Sequence, residues 1–356
     1  MQDDRFRIDS HKLMFHVERV NDWLHKKTIC PIYLEIAPAG ACNHRCIFCA
    51  VDYLNYKRVF LDLKVLKKAV EEAADLGVKS VMYAGEGEPL LHENIDEIIQ
   101  FTKKRGIDVA LTTNGVLLNK NLSLKILNSL SWLRFSFNAG TSKTYAKIHR
   151  TKESDFHKVI ENIKSAVAVR RARGLKTTIG VQLLLIPENA SEVLALAVLM
   201  KKAGIDYFTV KPYSQHPLSG SRISHAFRYK DYLFIKKRLD ELQDSRFKII
   251  FRADTMERLD TPRGYKYCYG LPFWAYINAH GDVYACSAFL GKEEFCYGNI
   301  YKKTFRKIMM SRRRKSILQM AASKLDIKKC REVCRLDKMN SYLWELKHPG
   351  PHANFI

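Results

Sequence analysis

The chain has 356 residues, of which 47% are hydrophobic and 27% charged, a composition typical of a globular protein with a large core and room for a second, smaller domain. Lys and Arg outnumber Asp and Glu by 60 to 37, so the formal charge is +23 and an anionic ligand is expected. No apolar run approaches the roughly 20 residues of a membrane span, and the N-terminus lacks the apolar stretch of a secretory signal. We therefore expect a cytoplasmic protein without a membrane partner, in which nine cysteines indicate metal binding or catalysis rather than disulfides.

Short β-rich runs alternate with helical patterns between residues 31 and 211, which predicts βα units around a parallel sheet. The predicted strands are 32–37, 80–84, 108–112, 133–137, 178–186 and 207–211. Residues 63–77 predict a helix that ends at a glycine. Six such units predict an open, partial (β/α)6 barrel of the α/β class, with functional loops at the C-terminal ends of the strands.

Three cysteines, Cys42, Cys46 and Cys49, follow the first predicted strand in the stretch GACNHRCIFC. A structural zinc site usually has four protein ligands, and this spacing is not a common zinc-finger pattern. A four-iron cluster is normally held by four thiolates, so three thiolates leave one iron free to bind something else. The spacing therefore favours an iron–sulfur cluster with one open iron.

This stretch resembles the signature of the radical S-adenosylmethionine (SAM) superfamily, Cys-x3-Cys-x-aromatic-Cys after the first barrel strand. The resemblance implies that the open iron of a [4Fe-4S] cluster binds the amino and carboxylate groups of SAM, and that Phe48 packs beside the adenine. YAGEGEPLLH, after the second strand, is similar to the family's Gly-Gly-Glu-Pro motif, with Glu86 in place of the first glycine. The match implies that Gly87 allows a close approach of the methionyl group and that Glu88 accepts a hydrogen bond from its ammonium.

Polar residues at later strand ends are further candidates for SAM and substrate contacts: Ser136, Asn138, Arg150, Gln182, Lys211 and Tyr213. By the match to the family's Ser-Leu-Asp-Gly motif, Ser136 and Asn138 are candidates for the SAM carboxylate and ribose. Arg150 stands near the position of a family arginine that binds the methionyl carboxylate. By their positions on strands five and six, Gln182 and Lys211 point toward the mouth of the cavity. Gln182 is a candidate cofactor contact, and Lys211 and Tyr213 are candidate substrate contacts. A structural role is the alternative for Gln182 and Lys211.

The βα alternation ends after residue 211. Residues 212–225 are rich in Pro, Ser and Gly and predict a linker or active-site loop, followed by a helix near 230–243. A β-hairpin is predicted in AYINAHGDVYAC, with its turn at His280 and Gly281. The predicted segments are an N-terminal extension (1–29), the barrel (30–215), a linker and helical segment (216–260) and a C-terminal α+β domain with a cap (261–356).

Four later cysteines resemble the ligands of a SPASM or Twitch domain, the C-terminal cluster-binding extension of this superfamily: Cys268, Cys286, Cys330 and Cys334. The spacing Cys-x12-Gly-x4-Cys of the first two spans the predicted hairpin. The resemblance implies a second, auxiliary [4Fe-4S] cluster with four thiolate ligands, and zinc at the same positions is the alternative. Cys30 is interpreted as a buried apolar residue. Cys296 is interpreted either as a buried thiol or as a hydrogen-atom donor, a role that radical SAM epimerases give to a cysteine outside the clusters.

Residues 302–315 contain eight basic residues and no acid. This run is typical of a solvated helix face, and an anion contact is the alternative.

The resemblance implies reductive cleavage of SAM to a 5′-deoxyadenosyl radical that abstracts hydrogen from an unactivated C–H bond, with flavodoxin or ferredoxin as the electron donor. The cysteine pattern is similar to that of aminocyclitol dehydrogenases and sugar epimerases. We therefore expect oxidation of an alcohol to a ketone in an anionic or polyhydroxylated small molecule, such as a sugar, aminocyclitol or nucleotide sugar. The alternatives are epimerisation with Cys296 as the hydrogen donor and peptide modification. A zinc-stabilised nucleic-acid-binding protein is the alternative from another class, but it leaves the strand-end motifs unexplained, and we expect no nucleic-acid ligand.

Overall fold

The computed structural model of the protein describes residue 6, residues 10–223 and residues 227–355. Within these residues the strands form one ten-stranded sheet with the order β10-β9-β8-β1-β2-β3-β4-β5-β6-β7. The strands are β1 (Tyr33–Ile36), β2 (Ser80–Tyr83), β3 (Asp108–Thr113), β4 (Trp132–Ser136), β5 (Thr178–Leu185), β6 (Tyr207–Pro212), β7 (Lys248–Phe251), β8 (Trp274–Ile277), β9 (Asp282–Tyr284) and β10 (Cys296–Asn299). Neighbouring strands from β1 to β7 are parallel, β8 is parallel to β1, and β8, β9 and β10 pair antiparallel.

Helices lie between the parallel strands and follow the C-terminal hairpin. They are α1 (Val17–Leu24), α2 (Leu63–Asp75), α3 (Ile95–Lys104), α4 (Lys120–Ile126), α5 (Ser142–His149), α6 (Glu153–Ala172), α7 (Val193–Ala203), α8 (Phe234–Asp240), α9 (Ala253–Glu257), α10 (Phe305–Met309), α11 (Arg312–Ala321) and α12 (Asp337–Lys347). Among the described residues no helix is both long and apolar enough to cross a bilayer.

The six predicted barrel strands are confirmed, and each end differs from the prediction by at most one residue. The predicted helix at 63–77 is α2, which is followed by Gly77 in the left-handed conformation at a φ of 78°. Strand β7 lies in the segment interpreted as a linker with a helix. Its short sequence KIIF alternates between buried and half-buried positions, and it extends the sheet beyond β6. The α/β fold is therefore a partial barrel with one more parallel strand than expected.

The predicted hairpin is formed by β8 and β9, and Gly281 takes the required left-handed conformation in its turn at a φ of 81°. Because β8 also pairs with β1, the C-terminal segment continues the barrel sheet directly. One face of the sheet packs against the helices in a large apolar core that includes the buried Cys30, as predicted. The opposite face, here called the inner face, carries a small cluster around Met82, Ala84 and Ala110.

The basic run at 302–315 forms parts of two helices rather than one, because Ser311 caps the start of α11 through a bond from the Arg314 amide. Seven of its eight basic side chains are exposed, which supports the interpretation as a solvated face. Arg314 is the exception: its guanidinium is buried and donates to the carbonyls of Met309, Ile29 and Pro272 at 3.1, 2.9 and 3.3 Å. This arginine joins the N-terminal segment to the C-terminal region.

Replacing Arg314 with Met should leave these buried carbonyls without a donor. Since each such acceptor costs roughly 1–3 kcal/mol, we expect Arg314→Met to lower the free energy of unfolding by about 3 kcal/mol. The matched control is Arg312→Met, which makes the same chemical change at an exposed position of the same helix. Chemical denaturation of the iron-loaded proteins measures the difference, and equal stability of the two variants would contradict the structural role.

Candidate active site

The loop that carries the first three cysteines, residues 42–49, begins just after β1 and is here called the cysteine loop. The segment after β2 contacts the backbone immediately before this loop. A Cβ atom on Gly87 would lie 2.2 Å from the Ala41 carbonyl oxygen and 2.4 Å from that of Ala39, and the Glu88 amide donates to the Ala41 carbonyl at 2.8 Å. Glycine is therefore required here by the contact between two backbone segments.

The carboxylate of Glu88 is buried and holds the end of β3. It accepts hydrogen bonds from the Thr113 hydroxyl at 2.6 Å, the Asn114 amide at 2.8 Å and the Leu90 amide at 3.1 Å. Burial raises the pKa of Glu88, and these three bonds oppose the rise. Because a carboxylate has about four acceptor positions, one position remains, and the predicted bond from the SAM ammonium stays a prediction.

The other side of the cysteine loop is held by α5 and by the segment after β6. The amides of Arg45 and Ile47 donate to the carbonyls of the last two residues of α5 at 3.0 and 2.9 Å. Ser219 donates its hydroxyl hydrogen to the Cys49 carbonyl at 3.0 Å. The loop is thus fixed by segments at the C-terminal ends of β2, β4 and β6, where the barrel interpretation places the functional loops.

The three thiols of this loop are half-buried, and their charges act on one another. Burial, followed by the neighbouring charges of Cys42 and Cys49, raises the pKa of Cys46 well above its ordinary value. Burial also raises the pKa of Cys49, and that of Cys42 to about 12. Buried thiols become thiolates when a metal supplies positive charge, so this donor set fits an iron–sulfur cluster.

His149, at the end of α5, touches this set and was not identified in the sequence. Its Nδ1 lies 3.2 Å from the Sγ of Cys46, and its ring centroid lies 5.2 Å from that of His44. The ligand atoms of these three residues lie within 4.8 Å of one another. Burial lowers the pKa of His149 well below its ordinary value. A buried histidine in the sequence IHRT gives no periodic or spacing signal, because its partner is 103 residues away.

The candidate SAM contacts are divided between the site and the surface. Phe48 lies edge-on to the His149 ring at 5.7 Å, and Ser136 pairs directly with Gln182 across β4 and β5. Asn138 is buried and donates to the Ser136 hydroxyl at 3.3 Å. Arg150 follows α5 with an exposed side chain and a φ of 48°. The structure thus brings Phe48, Ser136, Asn138 and Gln182 together around His149 and the ends of β4 and β5. The SAM-binding roles of these four residues and of Arg150 stay predictions.

Basic side chains lie at the end of β6. Burial and the charges of Arg134 and Arg331 lower the pKa of Lys211 well below its ordinary value. Arg331 donates to the Ser214 carbonyl at 3.2 Å, while its Nε is buried without a hydrogen-bond partner. In the part of the chain that the structure describes, no carboxylate forms an ion pair with Lys211 or Arg331. Tyr213, the other predicted substrate contact, is buried two residues beyond Lys211.

The four C-terminal cysteines form a second set of thiols: Cys268, Cys286, Cys330 and Cys334. Cys268 precedes β8, Cys286 follows β9, and the other two precede α12. Burial and then the charge of Cys334 raise the pKa of Cys268 to about 12 and that of Cys330 to about 11. Four half-buried thiols whose charges act on one another match the complete ligand set of a cluster.

Cys296 lies in β10, outside this second set. Its Sγ donates to the Gly298 carbonyl at 3.5 Å. Cys296, Tyr284, Tyr276 and Glu35 are successive partners across β10, β9, β8 and β1, so their side chains share one face of the sheet. The charged groups near the thiol are Asp282, Arg313 and Glu293. Both interpretations of Cys296 stay predictions.

Glu86, which replaces a glycine of the family motif, connects the segment after β2 to the hairpin. Its buried carboxylate accepts a hydrogen bond from the Ala279 amide, in the turn between β8 and β9, at 2.8 Å. Burial raises its pKa to about 7. The glutamate that replaces the motif glycine thus adds a contact between the segment after β2 and the C-terminal hairpin.

The parallel barrel and its two sets of half-buried thiols define an iron–sulfur protein of α/β architecture. The chain is a member of the radical SAM superfamily with a C-terminal SPASM domain: the Radical SAM superfamily model matches residues 36–210, and the SPASM iron-sulfur cluster-binding domain model matches residues 268–335. SAM and two [4Fe-4S] clusters are the cofactors of this domain pair, and the two thiol sets fit them.

Among curated relatives, the GTP 3′,8-cyclase of Chlorobaculum tepidum is 28% identical over 190 residues, which cover 52% of this chain and 56% of the relative. A probable GTP 3′,8-cyclase of Saccharolobus islandicus is 36% identical over 138 residues, which cover 38% of this chain and 44% of the relative. The chain therefore spans about half the length of the curated relatives that it matches.

Among solved structures, SuiB of Streptococcus suis bound to S-adenosylmethionine has a TM-score of 0.67 at 19% identity, covering 95% of this chain and 80% of SuiB. The anSMEcpe structure with bound AdoMet has a TM-score of 0.59 at 19% identity, covering 86% of this chain and 85% of that one. At this identity the likeness shows the shared fold.

Replacing Gly87 with Ala should push the cysteine loop away from the end of β2. Because the added Cβ would overlap two carbonyl oxygens, we expect Gly87→Ala to lose the SAM-binding cluster and to reduce the iron content from about eight to about four per chain. Gly264→Ala is the control, since a Cβ there meets no atom within 4 Å. Iron analysis after anaerobic reconstitution measures the loss, and about eight irons in Gly87→Ala would refute it.

Proposed function

We propose that the protein reductively cleaves SAM and uses the 5′-deoxyadenosyl radical to oxidise an alcohol of a hydroxylated small molecule to a ketone. The observation that supports this most is the position of Arg331. Its guanidinium interacts electrostatically with the Cys49 thiol of the first set and with the Cys286 and Cys334 thiols of the second. A substrate bound beside Arg331 would therefore lie near both cysteine sets.

Loss of one hydrogen atom, followed by loss of one electron and one proton, converts a secondary alcohol to a ketone. When bound, the two clusters supply the one-electron chemistry for SAM cleavage and for the second oxidation. The protein contributes position and partial shielding: the cysteine loop is fixed on several sides, and its thiols are half-buried.

Lys211 and Arg331 favour a substrate with an anionic group. Lys211 lies at the end of β6, Arg331 lies between Cys330 and Cys334 in the sequence, and neither has a carboxylate partner among the described residues. A buried or half-buried cation without a partner is costly, so an anion that pairs with it binds favourably. The curated relatives are named for GTP, a phosphorylated compound, which is consistent with this choice. A phosphorylated or carboxylated sugar or cyclitol has both an alcohol that can be oxidised and an anionic group that can pair with Lys211 and Arg331.

Epimerisation is the second candidate, because Cys296 shares a sheet face with Glu35, Tyr276 and Tyr284. Oxidation is favoured over it, since the charged groups around Cys296 come from the β9 to α11 region rather than from either cysteine set. Peptide modification is supported by the fold alone, which this chain shares with SuiB bound to the precursor peptide SuiA and with anSMEcpe bound to a peptide. The family match removes the case for a zinc-stabilised nucleic-acid-binding protein.

The SAM-cleavage part of the proposal depends on Cys42, Cys46 and Cys49. We expect the triple alanine variant to form no 5′-deoxyadenosine with dithionite and SAM, while the auxiliary cluster retains about four irons. Cys30→Ala is the control, because it removes a buried thiol outside both sets. Liquid chromatography of the reaction measures 5′-deoxyadenosine, and its formation by the triple variant would end the proposal.

Turnover in deuterated water separates oxidation from epimerisation. An exchangeable thiol delivers solvent deuterium to carbon, whereas oxidation to a ketone returns no hydrogen to the substrate. We expect a product two mass units lighter, without carbon-bound deuterium, and an unchanged product from Cys296→Ala, whose packing cost is about 1 kcal/mol. Deuterium at a carbon of an unoxidised product, lost in Cys296→Ala, would establish the epimerase instead.

A further inference from the structure

The imidazole of His149 is fixed against the cysteine loop. Its ring lies 4.2 Å from the Tyr145 ring at an interplanar angle of 31°, and its side chain is buried. The backbone carbonyl of His149 accepts a hydrogen bond from the Arg45 amide. The backbone of His149 therefore holds the cysteine loop while its ring contacts a thiol of that loop. Nδ1 faces the Sγ of Cys46 at 3.2 Å. The ring is therefore placed rigidly against one thiol of the SAM-binding set.

The hydrogen-bond partners of Asn138 determine which nitrogen of this ring carries the proton. The backbone amide of Leu184 donates at 2.7 Å to Oδ1 of Asn138, which fixes the orientation of the side-chain amide because only oxygen can accept there. The Nδ2 of Asn138 then donates its two hydrogens to the Ser136 hydroxyl at 3.3 Å and to Nε2 of His149 at 3.4 Å. Since Nε2 accepts this hydrogen bond it carries no proton, and the ring proton therefore lies on Nδ1.

We infer that His149 is a positioning residue that donates an Nδ1–H hydrogen bond to the Cys46 thiolate and so raises the reduction potential of the SAM-binding cluster. A hydrogen bond to a ligand sulfur stabilises negative charge, and the reduced cluster carries one more negative charge than the oxidised cluster. The bond therefore favours the reduced state that SAM cleavage requires. This inference rests on the proposal that Cys46 is a cluster ligand.

The same contact has an alternative meaning, because the ligand atoms of His44, Cys46 and His149 lie within 4.8 Å of one another. Metal binding through Nδ1 of His149 needs that nitrogen without its proton. The bond from Asn138 to Nε2 favours the tautomer in which Nδ1 is protonated. The geometry thus favours a donor over a ligand, and the two roles make different predictions.

The test compares the midpoint potential of the SAM-binding cluster in the wild type, His149→Phe and His149→Asn. Phe keeps a ring beside Tyr145 and removes the donor, whereas Asn places an amide N–H near the position of Nδ1. An anaerobic dithionite titration of the holoenzyme, followed by electron paramagnetic resonance, reports the potential, and the signal that changes on SAM addition identifies this cluster. We expect about a tenfold smaller equilibrium constant for reduction in His149→Phe, a shift of about 59 mV to more negative potential for one electron. In His149→Asn the midpoint potential should return most of the way to the wild-type value.

Tyr145→Phe is the control, because it keeps the ring that packs on His149 and removes only a buried hydroxyl that has no hydrogen-bond partner among the described residues. It should leave the potential unchanged. An unchanged potential in His149→Phe with its full iron content would overturn the inference. Loss of this cluster from both His149 variants would also overturn it, by making His149 a ligand. Failure of the underlying proposal is distinct: the wild type itself would then show no signal that responds to SAM.

Discussion

The close contact between the backbone at Gly87 and the entrance of the cysteine loop is the constraint on which the site depends. Three thiols can hold one cluster only if a loop without regular secondary structure keeps a fixed shape. Here the shape is imposed by hydrogen bonds from the ends of β2 and β6 and from α5. The carboxylate of Glu88 in turn fixes the end of β3. The barrel therefore acts as a frame whose strand ends determine the positions of the thiols.

The second cysteine set is tied to this frame by the sheet itself. Pairing of β8 with β1 makes the hairpin a continuation of the barrel, and the Glu86 carboxylate adds a bond to its turn. A separate domain on a flexible linker could change its distance from the first set. A continuous sheet keeps that distance constant, which suits chemistry that needs a substrate between two redox centres. The charge of Arg331 acts on thiols of both sets.

Much of this could be predicted from the sequence because the signals are local. Strand periodicity, the glycine at the end of α2 and the spacing of the cysteines each depend on a few neighbouring residues, and the structure agrees with them. The contacts that escaped prediction join distant parts of the chain. His149 meets Cys46 across 103 residues, and Glu86 meets Ala279 across 193. Arg314 looks like any other residue of a basic run, and only its buried carbonyl partners distinguish it. Strand β7 was too short to separate from its surroundings.

Mössbauer spectroscopy of the iron-57 holoenzyme tests the central claim most directly, since it observes the iron sites without turnover. We expect about eight irons in two four-iron clusters, with one iron in the eight changing its spectrum when SAM is added, because three thiolates leave one iron open. The remaining irons should stay unchanged. A spectrum of about four irons, or one in which SAM alters no iron site, would contradict the assignment of the two cysteine sets.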